Sequence, residues 1–81
     1  MHPRLSRVVF AAERNVLESR KITAAQRAFV EKLKREGSDA GVAHALLRAA
    51  QATQTMLEVH FDQLQRSTAV TQAARNARLK N

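Results

Sequence analysis

One seven-residue repeat constrains this chain more than any other feature, because it runs through Thr23 without losing phase. Val9, Val16, Thr23 and Val30 occupy one heptad position. Leu5, Ala12, Ser19, Gln26 and Leu33 occupy a second, and Val8, Asn15, Ile22 and Phe29 a third beside it. Apolar and small residues held in phase over about four heptads describe one long helix with a partner along its length. Thr23-Ala24-Ala25-Gln26 also has the form of a capping box, which would start a new helix at Thr23. A break there would shift the repeat, yet the phase is the same on both sides. No Gly or Pro lies between Pro3 and Gly37, and Thr inside a helix costs only about half a kcal/mol. The sequence therefore predicts a single helix from about Pro3 to Glu36, with Pro3 in the first turn, where its missing N–H is harmless.

The partner of this helix lies in the same chain. Lys32, Lys34 and Arg35 complement the dipole at its C-terminus, and Gly37 suits the left-handed position that follows. Ser38 or Asp39 then caps a second helix, from about 39 to 66 or beyond. It presents apolar or small residues at Val42, Leu46, Leu47, Ala49, Ala50, Thr53, Met56, Leu57, His60, Phe61 and Leu64. So short a connection makes the helices antiparallel neighbours. Folding at Gly37-Ser38 sets Val30 near Leu46, Val16 near His60 and Ala12 near Leu64. The expected seam is Val9, Val16, Ile22, Phe29, Val30 and Leu33 against Leu46, Ala50, Leu57, Phe61 and Leu64. Its middle is polar or small, with Ser19, Thr23 and Gln26 against Ala50, Thr53 and Gln54. The fold class is all-α, a coiled-coil-like hairpin over residues 1–66. A basic tail, partly helical or disordered, occupies 67–81.

The hairpin leaves apolar surface over. Phe10 and Leu17 stand seven residues apart, adjacent to Val9 and Val16 but outside the seam, and a contiguous patch of this kind marks an interface. The stripe on the second helix is also wider than a lone hairpin requires. With 81 residues, no Cys, three Phe and no Trp or Tyr, the core is shallow and has no disulfide to reinforce it. Self-association supplies the missing burial, so Phe10, Leu17, Val9 and Val16 are read as a second interface that pairs two hairpins into a four-helix assembly.

Charge is distributed unevenly around the net +7. Residues 1–36 carry nine Lys or Arg against Glu13, Glu18, Glu31 and Glu36, whereas 37–65 carry Arg48 against Asp39, Glu58 and Asp62. Beyond them Arg66, Arg75, Arg78 and Lys80 face no acid at all. The antiparallel fold brings this tail beside Arg4 and Arg7, so the open end becomes a positive pole able to contact a polyanion. The longest apolar run near the start, Val8 to Ala12, is too short for a signal-peptide core or a membrane span. The reading is a soluble cytoplasmic protein that does not engage a membrane.

Little in the sequence points to chemistry. On a helix Glu58 and Asp62 share a face while His60 points about 200° away, so the three do not converge on one atom. His2 and His44 have no His, Asp or Glu at helical i+3 or i+4 positions, which leaves no metal set. No nucleophile triad, glycine-rich phosphate loop or nucleotide motif is present. The chain reads as non-enzymatic, with no cofactor and no catalytic or metal-binding residues.

Two resemblances accompany this reading. Thr23 to Leu33 followed by Gly37-Ser38-Asp39-Ala40-Gly41-Val42-Ala43 resembles helix-turn-helix modules of small phage-terminase subunits and some transcription factors. In those families the helix after the turn is short, and its polar N-terminal end reads base edges. Here that end carries Asp39 and no Lys or Arg before Arg48. Glu13-Arg14, Gln26, Val30-Glu31-Lys32-Leu33-Lys34-Arg35, Gly37, Asp39, Ala43 and Leu46-Leu47 resemble short uncharacterised bacterial helical proteins. Their likeness, over roughly residues 12–64, implies a helical hairpin and carries no assigned activity. The expected function is a helical interaction and oligomerisation module whose partner is itself, as a homodimer or higher assembly, or another protein. A small basic DNA-binding protein is the alternative.

Overall fold

The computed structural model describes residues 3–79, and their side chains from Ser6 onward. Two helices account for the fold, α1 over Pro3–Arg35 and α2 over Gly41–Leu79. They pack antiparallel as an all-α hairpin. α1 passes through Thr23 unbroken, and the Thr23 hydroxyl donates to the Ser19 carbonyl at 2.9 Å. The capping-box hydroxyl thus bonds backward within a continuing helix instead of forward at a new start.

The turn is built from two local devices. Gly37 has φ +70, the Gly37 N–H donates to the Lys34 carbonyl at 3.1 Å, and the Ser38 N–H donates to the Leu33 carbonyl at 2.9 Å. This is a Schellman closure, and it satisfies carbonyls that the end of α1 would leave open. Nothing lies within 4 Å of a Cβ placed on Gly37, so the demand for glycine there comes from the backbone alone. A left-handed conformation costs other L-residues about 1–2 kcal/mol. Asp39, not Ser38, starts the next helix: its Oδ1 accepts the Gly41 N–H at 2.9 Å. The Ala40 carbonyl accepts the first helical bond, from the His44 N–H at 2.8 Å. α2 therefore begins two residues later than the sequence suggests.

That delay shifts the packing by one residue. Val30 packs in a buried cluster with Ala43 and Leu47, with Leu33 and Ala40 against it, so Leu47 stands where Leu46 was expected. Val16 lines a groove with Phe61 in place of His60, which is exposed. The shift is a slide of about 1.5 Å along the axis, and Ala50, Leu57, Phe61 and Leu64 stay in the seam as expected. Leu46, expected in the seam, is about half exposed beside it, and so are Ile22 and Phe29, which stand on α1 one residue before the inward Thr23 and Val30. Thr53 and Met56 are exposed as well. The seam consists of Val9, Ala12, Val16, Ser19, Thr23, Gln26, Val30 and Leu33 on α1, each buried or half-buried at strict three-four spacing. Ala40, just before α2, and Ala43, Leu47, Ala50, Gln54, Leu57, Phe61, Leu64 and Thr68 on it answer them. Val16, assigned to a second interface by sequence, is 3% exposed and belongs to this seam.

The polar middle of the seam holds because its hydroxyls bond to their own helix. Ser19 Oγ donates to the Val16 carbonyl at 2.7 Å, as Thr23 does to Ser19 and Thr68 to Leu64. Each then offers a small, satisfied side chain that lets the helices approach. Gln26 is the exception, with Oε1 buried and unpartnered.

α2 continues without interruption from 66 to 79, the segment that reads as a weaker tail in sequence. Four alanines, at 69, 73, 74 and 77, and the absence of Gly or Pro sustain it. With 39 residues against 33, α2 runs past the start of α1. The result is a rod of 69 × 16 × 14 Å with a radius of gyration of 18.9 Å. A compact chain of this length would have a radius of about 12 Å.

Candidate functional site

The seam divides the rod into two long flanks of different chemistry. Positions four residues beyond Val16 and Gln54 lie on one of them, where Arg20 Nε donates to Glu58 Oε1 at 3.1 Å. Gln54 Nε2 donates to the same oxygen at 3.0 Å. The Gln54 amide, and then the Arg20 guanidinium, hold the Glu58 carboxyl below the usual glutamate range. Leu17 lines a groove on this side together with Glu13, Arg20, Glu58, Asp62 and Gln65. Phe10 is 64% exposed and Leu17 47%. The apolar pair singled out by sequence therefore stands at the edge of a charged, cross-linked flank.

The opposite flank is apolar. It takes the third heptad position of α1, with Val8, Ile22 and Phe29. From α2 it takes the positions on the same side of the seam, with Val42, Leu46, Ala49, Thr53 and Met56. The antiparallel geometry that joins Arg20 to Glu58 on one side places these residues together on the other. Ile22, Phe29, Val42, Leu46 and Met56 are each between 48% and 79% exposed. Five large apolar side chains thus share the half of the rod nearest the turn, and no charged side chain separates Phe29 from Leu46 by heptad position. The signal for this face was present in the sequence as a stripe too wide for a hairpin. Its location was not, because only the packing of the two helices decides which part of that stripe is covered.

The chain's surface is larger than its mass requires. The accessible area is 6405 Å², about 1,500 Å² more than a compact monomer of this mass exposes. Two stacked helices cover only one stripe on each other, so the rest of each wide stripe stays in water.

The residues of the acidic cluster are held apart. Glu58 is held by Arg20 and Gln54, Asp62 pairs with Arg66 at 3.0 Å, and His60 is exposed on another face. Among the described residues no group of three or more His, Asp or Glu side chains is placed to hold a metal ion. No helix among them is long and apolar enough to cross a membrane. Of the predicted polyanion contacts, Arg7, Arg66, Arg75 and Arg78 are exposed toward the open end. Lys80 and the side chain of Arg4 lie outside the described residues. The helix-turn-helix match falls on a continuous α1 and on the start of a 39-residue α2, with no separate short helix before the turn. Comparison with known proteins finds no matching family model, no similar curated protein and no similar solved structure.

Proposed function

We propose that this chain is a non-enzymatic helical interaction module that pairs with a second copy of itself, flank to flank, to form a four-helix assembly. The observation that carries the reading is the apolar face of Ile22, Phe29, Val42, Leu46 and Met56, exposed on one side of a hairpin whose own seam is already filled. A stable interface takes about 800 Å² from each partner. The surplus of about 1,500 Å² over a compact monomer accommodates that area. Obligate pairs of this kind present apolar faces that resemble a core cut in half. A two-fold related pair uses the same patch on both copies, and a face centred on Phe29 and Leu46 meets that condition.

Charge selects the orientation. The open ends of the rod are strongly positive, so hairpins that run in opposite directions keep those ends apart. Pairing through the half nearest the turn leaves the open ends projecting at the two extremes of the assembly.

Light scattering on wild type and on Phe29→Asp/Leu46→Asp tests the proposal, with circular dichroism to show that the helices persist. The expected masses are twice 9.0 kDa for wild type and 9.0 kDa for the variant. A monomeric wild type ends the reading. If Phe10→Asp/Leu17→Asp becomes monomeric while Phe29→Asp/Leu46→Asp remains paired, the association uses the charged flank and the assigned face is wrong.

A further inference from the structure

All seven acidic residues lie between positions 13 and 62, where eight Lys or Arg nearly balance them. Residues 1–12 and 63–81 contain no acid and carry Arg4, Arg7, Arg66, Arg75, Arg78 and Lys80, six of the seven net positive charges. The antiparallel hairpin brings the described parts of these stretches, 3–12 and 63–79, to the same end of a 69 Å rod. Neutralisation within the fold is therefore almost complete along the shaft, and at the open pole it is limited, among the described residues, to Asp62 on Arg66.

The pole is also built differently from the rest of the seam. At three-four spacing the inward stripe of α2 continues from Leu64 and Thr68 to Thr71, Arg75 and Arg78. Near the described start of α1 at Pro3 this stripe changes from apolar to basic, and Thr71, Arg75 and Arg78 are exposed. Arg75 and Arg78 line one shallow groove with Thr71 and Ala74. Among the described residues Arg66 is held by Asp62, whereas Arg7, Arg75 and Arg78 have no acidic partner.

We infer that the open pole is a binding surface for the phosphate backbone of duplex nucleic acid, carried by Arg7, Arg75 and Arg78. Exposed guanidinium groups spaced along the helices at this end suit the regular row of phosphates along a duplex. The chain has no Tyr or Trp to stack on splayed bases, which disfavours single strands. The start of α2 carries no basic residue before Arg48, which leaves no base-reading helix end. Binding is therefore independent of sequence and driven by counterion release. A lipid surface fits less well, because the alanines at 69, 73, 74 and 77 leave Val70 and Leu79 as the large apolar side chains of this stretch to insert. One consequence rests on the paired assembly proposed above: with poles at both extremes, the pair bridges two duplex segments.

The test is fluorescence anisotropy of a labelled random-sequence duplex, titrated with the full chain at several salt concentrations. Each phosphate neutralised contributes about 0.9 to the slope of log affinity against log salt, so three to five contacts predict a slope of about −3 to −5. Arg75→Gln/Arg78→Gln reduces that slope by about two, and Lys32→Gln/Lys34→Gln at the turn end leaves it unchanged. No binding at low salt, or equal losses in the two variants, overturns the assignment. Tighter binding to phosphatidylserine vesicles than to duplex overturns it in favour of a lipid surface. Bridging is read separately, by capture of a labelled duplex on beads bearing an unlabelled one. Phe29→Asp/Leu46→Asp binds duplex but captures none, and capture by that variant refutes bridging through the pair without touching the binding result.

Discussion

The buried carbonyl of Gln26 offers the sharpest test of how this seam is stabilised. Gln26 sits between Thr23 and Val30 at a half-buried seam position, and its Oε1 has no hydrogen-bond partner. A buried acceptor left unsatisfied costs about 1–3 kcal/mol, the desolvation that no new bond returns. Gln26→Leu removes the acceptor and places at this position the residue type that heptad seams favour. The expected gain is about 1–2 kcal/mol, and each kcal/mol raises Tm by about 4–8 °C for a domain of this size. Thr23→Val supplies the contrast. Thr23 is 4% exposed, but its hydroxyl already bonds to the Ser19 carbonyl, which keeps its helical N–H partner when the hydroxyl is gone. That substitution therefore changes stability by less than about 0.5 kcal/mol. Urea unfolding followed by far-UV circular dichroism measures both, at one fixed protein concentration because pairing makes stability concentration-dependent. A Gln26→Leu midpoint at or below wild type refutes the reasoning, since it means the amide is satisfied or the seam cannot accept the branched side chain.

Two further predictions follow from the packing and the charged flank. Val30→Ala, at 1% exposure in the cluster with Ala43 and Leu47, loses about 2 kcal/mol, whereas Val42→Ala on the open face costs the isolated hairpin almost nothing. Equal losses from the two, measured by urea unfolding in the Phe29→Asp/Leu46→Asp background, contradict the register. Glu58 has its carboxyl pKa lowered in the folded state, so it contributes stability above the ordinary glutamate range and loses that contribution as pH falls through its lowered value. Glu58→Gln therefore flattens the acid limb of the stability profile relative to wild type, and an unchanged limb contradicts the Gln54–Glu58–Arg20 arrangement.

Much of α1 can be read without coordinates. The phase through Thr23 identifies one helix and the stripe from Val9 to Leu33, because 3–4 spacing on a single helix is a local property of the chain. Ile22 and Phe29, also expected inward, are left half exposed by the packing. The turn is also legible in part. Gly37 and the basic residues before it mark the stop, but whether Ser38 or Asp39 opens α2 depends on which side chain meets the Gly41 N–H. That choice lengthens the connection and slides α2 by about one residue along α1, so Leu47 takes the place of Leu46 while Ala50, Leu57, Phe61 and Leu64 keep their expected seam positions. The basic tail reads as weak by hydrophobicity, yet its alanines and its continuity with a packed helix carry the helix to Leu79.

Heptad phase, scarcity of breakers and the placement of acids between 13 and 62 follow from the order of residues, since each is a property of neighbours along the chain. Those features settle the two helices, and with the turn they place the excess positive charge at the open end. Which flank of the rod is apolar is a different kind of fact. Each helix has its own faces, but the rotation of one about its axis relative to the other depends on turn geometry and on the packing of Val30 against Ala43 and Leu47. For that reason Phe10 and Leu17 stand out in the sequence, while the larger exposed face around Phe29 and Leu46 emerges only once the helices are packed together.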